Sequence, residues 1–291
     1  MITWFLMNYW PTSLNLLRFY PKKWGSALAG WAASRPLPKK IQWSALSLFA
    51  RHYGVDLGEA EKPLEEYRTF QEFFTRRLKP GIRPQDEMLP GAINCPVDGN
   101  LIALGRIRSG TLIQAKGLHY HLEELLKHMP SPEPFEGGHF LTLYLSPRDY
   151  HRIHVPLEGV VQAVSRVEGE LWPVNDASTA NIPRLYVRNR RAVWLAEGRS
   201  NDDGLLVACV LVGATHVGGC VVDEQWLEGR KLPKDGGLIV SGLPCAPGDD
   251  LGMFQFGSTV VMLVGGAKAD AWHPVRPQGA VKVGQRLGEF R

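Results

Sequence analysis

From about residue 95 onward, apolar stretches of strand length alternate with breaks rich in Gly, Pro and Asp, at 140–145, 160–167, 205–212, 238–240 and 259–264. One short helical patch, residues 121–126, interrupts them. The earlier part of the chain has another rhythm. Residues 41–52 carry a helical pattern, and Pro11, Pro21, Pro36 and Pro38 cut the first forty residues into pieces of a few turns each. A second helix is expected from Thr69-Phe70-Gln71-Glu72, which has capping-box spacing, with Phe70, Phe73, Phe74 and Leu78 along one side and an end before Pro80-Gly81. The pattern predicts an α+β chain: short amino-terminal helices over 1–62, then a β-rich domain over 63–291, with the boundary at Glu61-Lys62-Pro63. There is also an internal echo. Pro96-Val97-Asp98-Gly99-Asn100-Leu101 resembles Pro156-Leu157-Glu158-Gly159-Val160-Val161 in order and type, either as a duplicated strand–turn–strand unit or as a chance repeat of a common turn.

Composition sharpens this picture. In a chain of 291 residues, 44% hydrophobic content supports a substantial core, and 31 glycines with 21 prolines favour strands and turns over a helical bundle. Cys95, Cys209, Cys220 and Cys245 show no C-x-x-C spacing, so neither a disulfide framework nor a zinc knuckle is indicated, and a reducing, cytosol-facing compartment fits. Charge is uneven. No Asp or Glu precedes Asp56, whereas Arg18, Lys22, Lys23, Arg35, Lys39, Lys40 and Arg51 lie in that stretch with Trp4, Trp10, Trp24, Trp31 and Trp43. Its apolar runs fall well short of the roughly 20 residues that span a bilayer. A secretory signal does not fit either, because the first basic residue follows the apolar start. Tryptophan favours the headgroup boundary and Lys/Arg are drawn to anionic lipid, so the segment reads as interfacial. The competing reading is a helical extension with a solvated basic face.

Three places carry residues with chemistry, in the order Asp98, then His151 and His154, then Ser258. By itself Asp98-Gly99 is a turn. The two imidazoles, three residues apart, form no H-E-x-x-H pattern and have no cysteine nearby, which argues against zinc. Ser258 stands before the strongly β-forming Thr259-Val260-Val261-Met262-Leu263-Val264, and lacks the G-x-S-x-G elbow of α/β-hydrolases. An acid, an imidazole and a serine are nevertheless the residue types of an activated nucleophile.

The segment Tyr67-Arg68-Thr69-Phe70-Gln71-Glu72-Phe73-Phe74-Thr75-Arg76-Arg77-Leu78-Lys79-Pro80-Gly81-Ile82-Arg83-Pro84 closely resembles the opening signature of phosphatidylserine decarboxylases. The resemblance runs on in order through Pro96-Val97-Asp98-Gly99, Gln114-Ala115-Lys116-Gly117, Tyr150-His151-Arg152-Ile153-His154-Val155-Pro156, Gly169-Glu170-Leu171-Trp172-Pro173-Val174-Asn175, Val212-Gly213-Ala214 and Phe256-Gly257-Ser258-Thr259. It covers roughly residues 64 to 265. Two departures stand out: Phe256 replaces the family's usual Leu, and Asn189-Arg190-Arg191 replaces its usual Asn-Glu-Arg, reversing a charge.

The resemblance implies a proenzyme that cuts itself between Gly257 and Ser258 and turns Ser258 into a pyruvoyl group, the only cofactor. It implies His154, oriented by Asp98, as the base for cleavage. The pyruvoyl carbonyl would then hold phosphatidylserine as a Schiff base, with His151 protonating the carbanion that follows loss of carbon dioxide. A β-rich catalytic domain is implied, with a hybrid-motif or barrel-sandwich arrangement as one candidate. Implied partners are the lipid substrate, the cytoplasmic face of the cell membrane and the chain's own large and small fragments; a homodimer is compatible, and nucleic acid is not implied. Two other readings stay open at this stage. One is a serine hydrolase using Ser258, His154 and Asp98 on an intact chain. The other is a carrier-like binding domain, suggested by Val281-Lys282-Val283-Gly284 and the internal echo.

Overall fold

The computed structural model describes residues 22–115, 118–199, 204–215, 219–255 and 258–290, so residues 1–21, Phe256 and Gly257 lie outside the described part, as does Lys116-Gly117. Two helices lead, α1 (Lys22–Ala33) and α2 (Lys39–Tyr53), followed by the short α3 (Phe70–Phe74). Leu46, Ala50 and Val55 pack with Tyr67 and Phe73 in a small core, where Phe49 and Phe70 meet edge to face at 4.8 Å. This core draws on both sides of the expected boundary at position 62.

Helix α3 starts where the capping box places it, with Thr69 Oγ1 accepting from the Glu72 amide at 3.0 Å, but it stops at Phe74 instead of continuing through Leu78. The Thr75 hydroxyl donates to the Gln71 carbonyl at 2.9 Å. Beyond it the backbone runs beside residues 59–61: Glu61 N donates to Arg77 O and Lys79 N to Glu59 O, each at 2.9 Å. Long-range pairing therefore claims the last predicted helical turn.

The main body is an antiparallel sheet of eight strands: β2 (Gly99–Arg106), β5 (His139–Leu145), β7 (Gly159–Val167), β8 (Arg191–Gly198), β9 (Leu205–Val212), β11 (Gly236–Cys245), β13 (Ser258–Gly266) and β15 (Gly279–Val281). Their order across the sheet is β11-β7-β8-β9-β13-β5-β2-β15. In β13, Val260, Met262 and Val264 face one large core while Val261 and Leu263 face another. Both faces are covered, which is why this strand reads in sequence as an unbroken apolar run and not as an alternation. A hairpin of β3 (Thr111–Ala115) and β4 (Leu118–His121) precedes α4 (Leu122–Leu125), while α5 (Asp176–Asn181) and α6 (Leu185–Arg188) precede β8. Two three-stranded sheets complete the fold: β1 (Ile93–Asn94) with β16 (Arg286–Phe290) and β14 (Trp272–Pro274), and β10 (Cys220–Val222) with β12 (Asp250–Phe254) and β6 (Arg152–His154). The class is α+β, as expected. Among the described residues the sheets are open, so the barrel variant of that expectation is not formed.

The sequence echo is a structural duplication. Pro96 O accepts from His154 N at 2.9 Å, and Pro156 O accepts from Asn94 N at 2.8 Å. Cys95 exchanges backbone bonds with Gly284 and Gln285 (3.0 and 2.7 Å), and Val155 does the same with Gly248 and Asp249 (3.0 and 2.9 Å). Strand β1 pairs with β16 as β6 pairs with β12, which sets Asn94 opposite Arg286 and His154 opposite Asp250. Two crossed units related by an approximate two-fold therefore lie side by side, and only one carries histidine. Each glycine of the echo opens a strand under a neighbouring carbonyl. A Cβ on Gly99 would lie 2.3 Å from Tyr144 O, and one on Gly159 would lie 2.1 Å from Glu197 O.

Neither carbonyl can retreat without breaking the ladder. Gly99→Ala and Gly159→Ala are therefore each expected to cost about 1–3 kcal/mol. In a thermal melt this lowers the midpoint by roughly 3–10 °C, with similar losses for the two variants.

Candidate active site

The strand order brings the chemistry-bearing segments to one end of the large sheet. Ser258 opens β13 opposite Leu145, the last residue of β5; Thr259 lies opposite both Tyr144 and Val212, and Asn100 also lies opposite Tyr144. Asp98 therefore precedes β2, and the loop holding His151 follows β5, at the same edge as the start of β13. The strand leading to the Gly257–Ser258 bond runs beside the histidines: Phe254 N donates to His151 O at 2.9 Å, and Gly252 lies opposite Ile153. Asp98, the histidine pair and the backbone of Ser258 thus converge, although far apart in the chain.

His151 is fully buried, with its ring 4.0 Å from that of Phe74. Its Nδ1 lies 2.8 Å from Asp149 O. A carbonyl can only accept, so Nδ1 bears the proton and Nε2 is the basic nitrogen. Nε2 has no hydrogen-bond partner among the described residues. Burial, outweighing the bond to Asp149, pushes the imidazole down to about 3.

His154 has the same tautomer for the same reason, its Nδ1 donating to Gly248 O at 2.8 Å. Its Nε2 accepts from the Tyr150 hydroxyl at 3.0 Å, and the two rings stack with centroids 5.6 Å apart. Burial lowers the pKa of His154 against the opposing pull of Gly248 and of Asp250, whose Oδ1 lies 3.7 Å from Nδ1. Burial also raises the Tyr150 hydroxyl, keeping it protonated and able to donate to His154.

Asp98 is 1% exposed, yet its carboxylate is surrounded by donors. Arg83 Nε reaches both oxygens (2.9 and 3.0 Å) and Nη2 reaches Oδ2 at 2.5 Å. Val283 N donates to Oδ1 at 2.9 Å, and Lys282 Nζ to Oδ2 at 3.1 Å. Burial works against ionisation, but these bonds, led by Arg83, outweigh it and hold the carboxyl below its ordinary range. The expectation that Asp98 orients His154 therefore needs correction. The donors of Asp98 are Arg83, Lys282 and Val283, while Gly248 and Tyr150 hold the two ring nitrogens of His154. Asp98 reaches this corner through its charge, which is felt by His151 and Tyr150.

Sequence reasoning did not single out Arg83, Tyr150 or Asp250. Tyr150 and Arg83 lie within the quoted motifs, so proximity to the histidines and to Pro84 was their available signal. Asp250 read as part of a turn. The altered 189–191 segment is intact as a scaffold. Asn189 accepts from Trp172 N (2.9 Å) and donates to Trp172 O and Gly213 O (each 2.8 Å), tying two of the motifs together. The reversed charge at Arg190 is met by Glu168 at 2.9 Å. Arg191 is buried and donates to the carbonyls of Leu125, Val187, Asn189 and Glu124.

Residues 70–289 match the family model described as phosphatidylserine decarboxylase. A phosphatidylserine decarboxylase proenzyme of Myxococcus xanthus is 37% identical over 282 residues, covering 95% of this chain and 98% of that protein. Proteins of the same name from Coxiella burnetii (strain RSA 331 / Henzerling II) and Escherichia coli O127:H6 are 39% and 36% identical. Each alignment covers 94% of this chain, with 96% of the former protein and 86% of the latter. With the match running from helix α3 through β16 and taking in the whole histidine corner, the chain belongs to the phosphatidylserine decarboxylase family.

Proposed function

We propose that this chain is a proenzyme that cuts itself between Gly257 and Ser258, and that the product decarboxylates phosphatidylserine to phosphatidylethanolamine. The observation that carries this reading is the pairing of β12, the strand that precedes Ser258 in the chain, beside two histidines of matching tautomer, of which His151 is buried and has a basic nitrogen with no partner among the described residues. In the cleavage step the Ser258 hydroxyl attacks the Gly257 carbonyl, and the amide becomes an ester as the amide nitrogen takes up a proton. Elimination across Cα–Cβ of residue 258 then frees the Gly257 carboxylate. Hydrolysis of the remaining enamine, with loss of ammonia, leaves a pyruvoyl group at the new amino terminus. A serine hydroxyl needs a base at neutral pH, and His154 Nε2 supplies it once the Tyr150 hydroxyl turns aside.

The pyruvoyl group supplies an electron sink for the bond to carbon dioxide. Residue 258 suits such a group because its backbone is fixed in a strand and the unpartnered Nε2 of His151 lies in the same corner. His151 enters as a neutral base. It takes up a proton as the substrate amine is readied, the substrate's own carboxylate and phosphate offsetting the burial penalty on the imidazolium, and returns a proton to carbon after carbon dioxide has left. A single nitrogen thus serves both proton transfers.

The amino-terminal helices supply the approach to lipid. Leu28, Trp31 and Leu48 are 66%, 57% and 60% exposed, and Ile41 and Trp43 are also exposed, on helices that carry basic but no acidic residues. No described helix is long and apolar enough to cross a membrane. This surface supports peripheral attachment to a membrane, here proposed at the cytoplasmic face of the cell membrane. The hydrolase reading lacks a direct Asp98–His154 bond, and the family speaks against it. The Val281–Gly284 stretch that suggested a carrier domain is instead packed on Asp98.

Intact mass spectrometry of purified protein is expected to show two fragments, residues 1–257 and a 258–291 piece whose mass reflects serine-to-pyruvoyl conversion. A single full-length mass from active protein would refute the proposal. Histidine-selective NMR of the processed enzyme should show His151 in the Nδ1–H form with its titration moved well below the ordinary histidine range, toward about 3; a midpoint near 6.5 would overturn the burial of this ring in the processed enzyme. Co-sedimentation with vesicles containing anionic lipid should fall about tenfold or more in the double variant Trp31→Ser, Leu48→Ser, while self-cleavage proceeds as before.

A further inference from the structure

The turn Val281-Lys282-Val283-Gly284 has no place in the proposed chemistry, yet it carries two of the donors that hold Asp98. We infer that this turn is a clasp by which the future small fragment grips Asp98, and that Arg83 is the positioning residue that sets Asp98 for it. The inference rests on cleavage between Gly257 and Ser258, since only then do the two sides of the clasp belong to separate polypeptides.

The geometry is specific. Arg83 lies across the Asp98 carboxylate through Nε and Nη2, while its Nη1 and Nη2 also bind Glu59 at 3.1 and 2.6 Å. The guanidinium plane is thereby fixed between two carboxylates of the large fragment. What remains of the Asp98 acceptor capacity points to residues 282 and 283. That turn is shaped to receive it: Lys282 N donates to Gln285 Oε1 at 3.0 Å, and Gln285 N to Lys282 O at 3.2 Å. Gly284 adopts φ +86, and a Cβ there would lie 2.2 Å from Pro84 O, the residue after Arg83. Only glycine allows so close an approach. On either side, Val281 pairs with Gly99 in β2 and Gly284 N donates to Cys95 O at 3.0 Å. The clasp therefore closes on the residues flanking Asp98 as well as on its carboxylate.

The duplication shows that this is no mere repeat of the fold. In the partner unit Glu158 stands in place of Asp98, and Pro247, which has no N–H, stands in place of Val283. The bond from backbone to carboxylate exists only in the half that contains Asp98. The clasp seats residues 258–291 against the large fragment, and so holds the start of β13 in register beside the histidines before and after the backbone is cut. Other ionisable groups around Asp98 are Arg76, Cys95, Tyr150 and His151, each of which feels its charge.

The test uses the full chain, with self-cleavage followed in time by denaturing electrophoresis between pH 4 and pH 8, and fragment retention followed by size exclusion. Arg83→Gln leaves Asp98 buried with fewer donors, and Lys282→Glu sets a like charge against it from a half-exposed position that tolerates substitution. Both should cleave about tenfold more slowly, with the acid limb of the cleavage profile moved to higher pH as the Asp98 carboxyl loses the charge balance that holds it below its ordinary range. After cleavage both should release the small fragment at a salt concentration the wild type withstands. Arg83→Lys, which restores the charge but not the fork, should recover part of the rate. If Arg83→Gln does not fold, Lys282→Glu and Arg83→Lys decide the matter. Wild-type rate, acid limb and fragment retention in Lys282→Glu would overturn the clasp. A wild-type chain that never cleaves would instead overturn the functional reading beneath it.

Discussion

A carboxylate removed from water must be matched by donors or lose its charge, and the burial of Asp98 sets this requirement at the centre of the molecule. Removing one partner from a buried ion pair costs about 3–5 kcal/mol, because the other charge is left uncompensated. Here four donating groups from two distant parts of the chain answer that demand: Arg83 with both Nε and Nη2, Lys282, and the Val283 amide. Meeting it forces residues 83–84, 95–99 and 281–286 into one place. The eight-stranded sheet does the rest, since β15, β2, β5 and β13 follow one another and bring the ends of their connecting loops to the same edge.

The histidines obey the opposite rule. Burial penalises an imidazolium, and neither ring has a carboxylate at hydrogen-bond distance to offset that penalty. Both are instead fixed by backbone carbonyls, Asp149 O and Gly248 O, which determine the tautomer without adding charge. The result is two neutral bases whose Nε2 atoms differ in one respect: one accepts from the Tyr150 hydroxyl and the other has no described partner. Under the proposed function, that difference separates a base for cleavage from a base for substrate more clearly than the spacing of the residues does.

The approximate two-fold gives this asymmetry a structural origin. Both units use the same crossed backbone bonds around Cys95 and Val155, and both need glycine under a neighbouring carbonyl. Histidine occupies one of them. Asn94 stands where His154 stands in the other, and Arg286 where Asp250 stands. Backbone pairing is shared because it depends on the main chain alone, while function depends on side chains that the main chain leaves unconstrained.

Much of this was legible in the sequence. Apolar runs marked the strands, because a strand covered on both faces has no solvent side to interrupt it. The motifs marked Asp98, His151, His154 and Ser258, and the echo marked the duplication. Local rules failed where distant partners competed: helix α3 lost its last turn to pairing with residues 59–61, and Leu78 left the helical face on which its spacing had placed it. The partners of the marked residues were decided by tertiary structure alone. A hydrogen bond such as Arg83–Asp98 or Lys282–Asp98 leaves no periodicity in the chain, since it depends on where folded strands end and not on which residues are neighbours. By itself the sequence determined the strands, the helical start and the chemically capable side chains. Only the folded chain decided that Asp98 binds arginine and the carboxy-terminal turn instead of histidine, because burial made its charge demand the nearest donors and the sheet order chose which donors those would be.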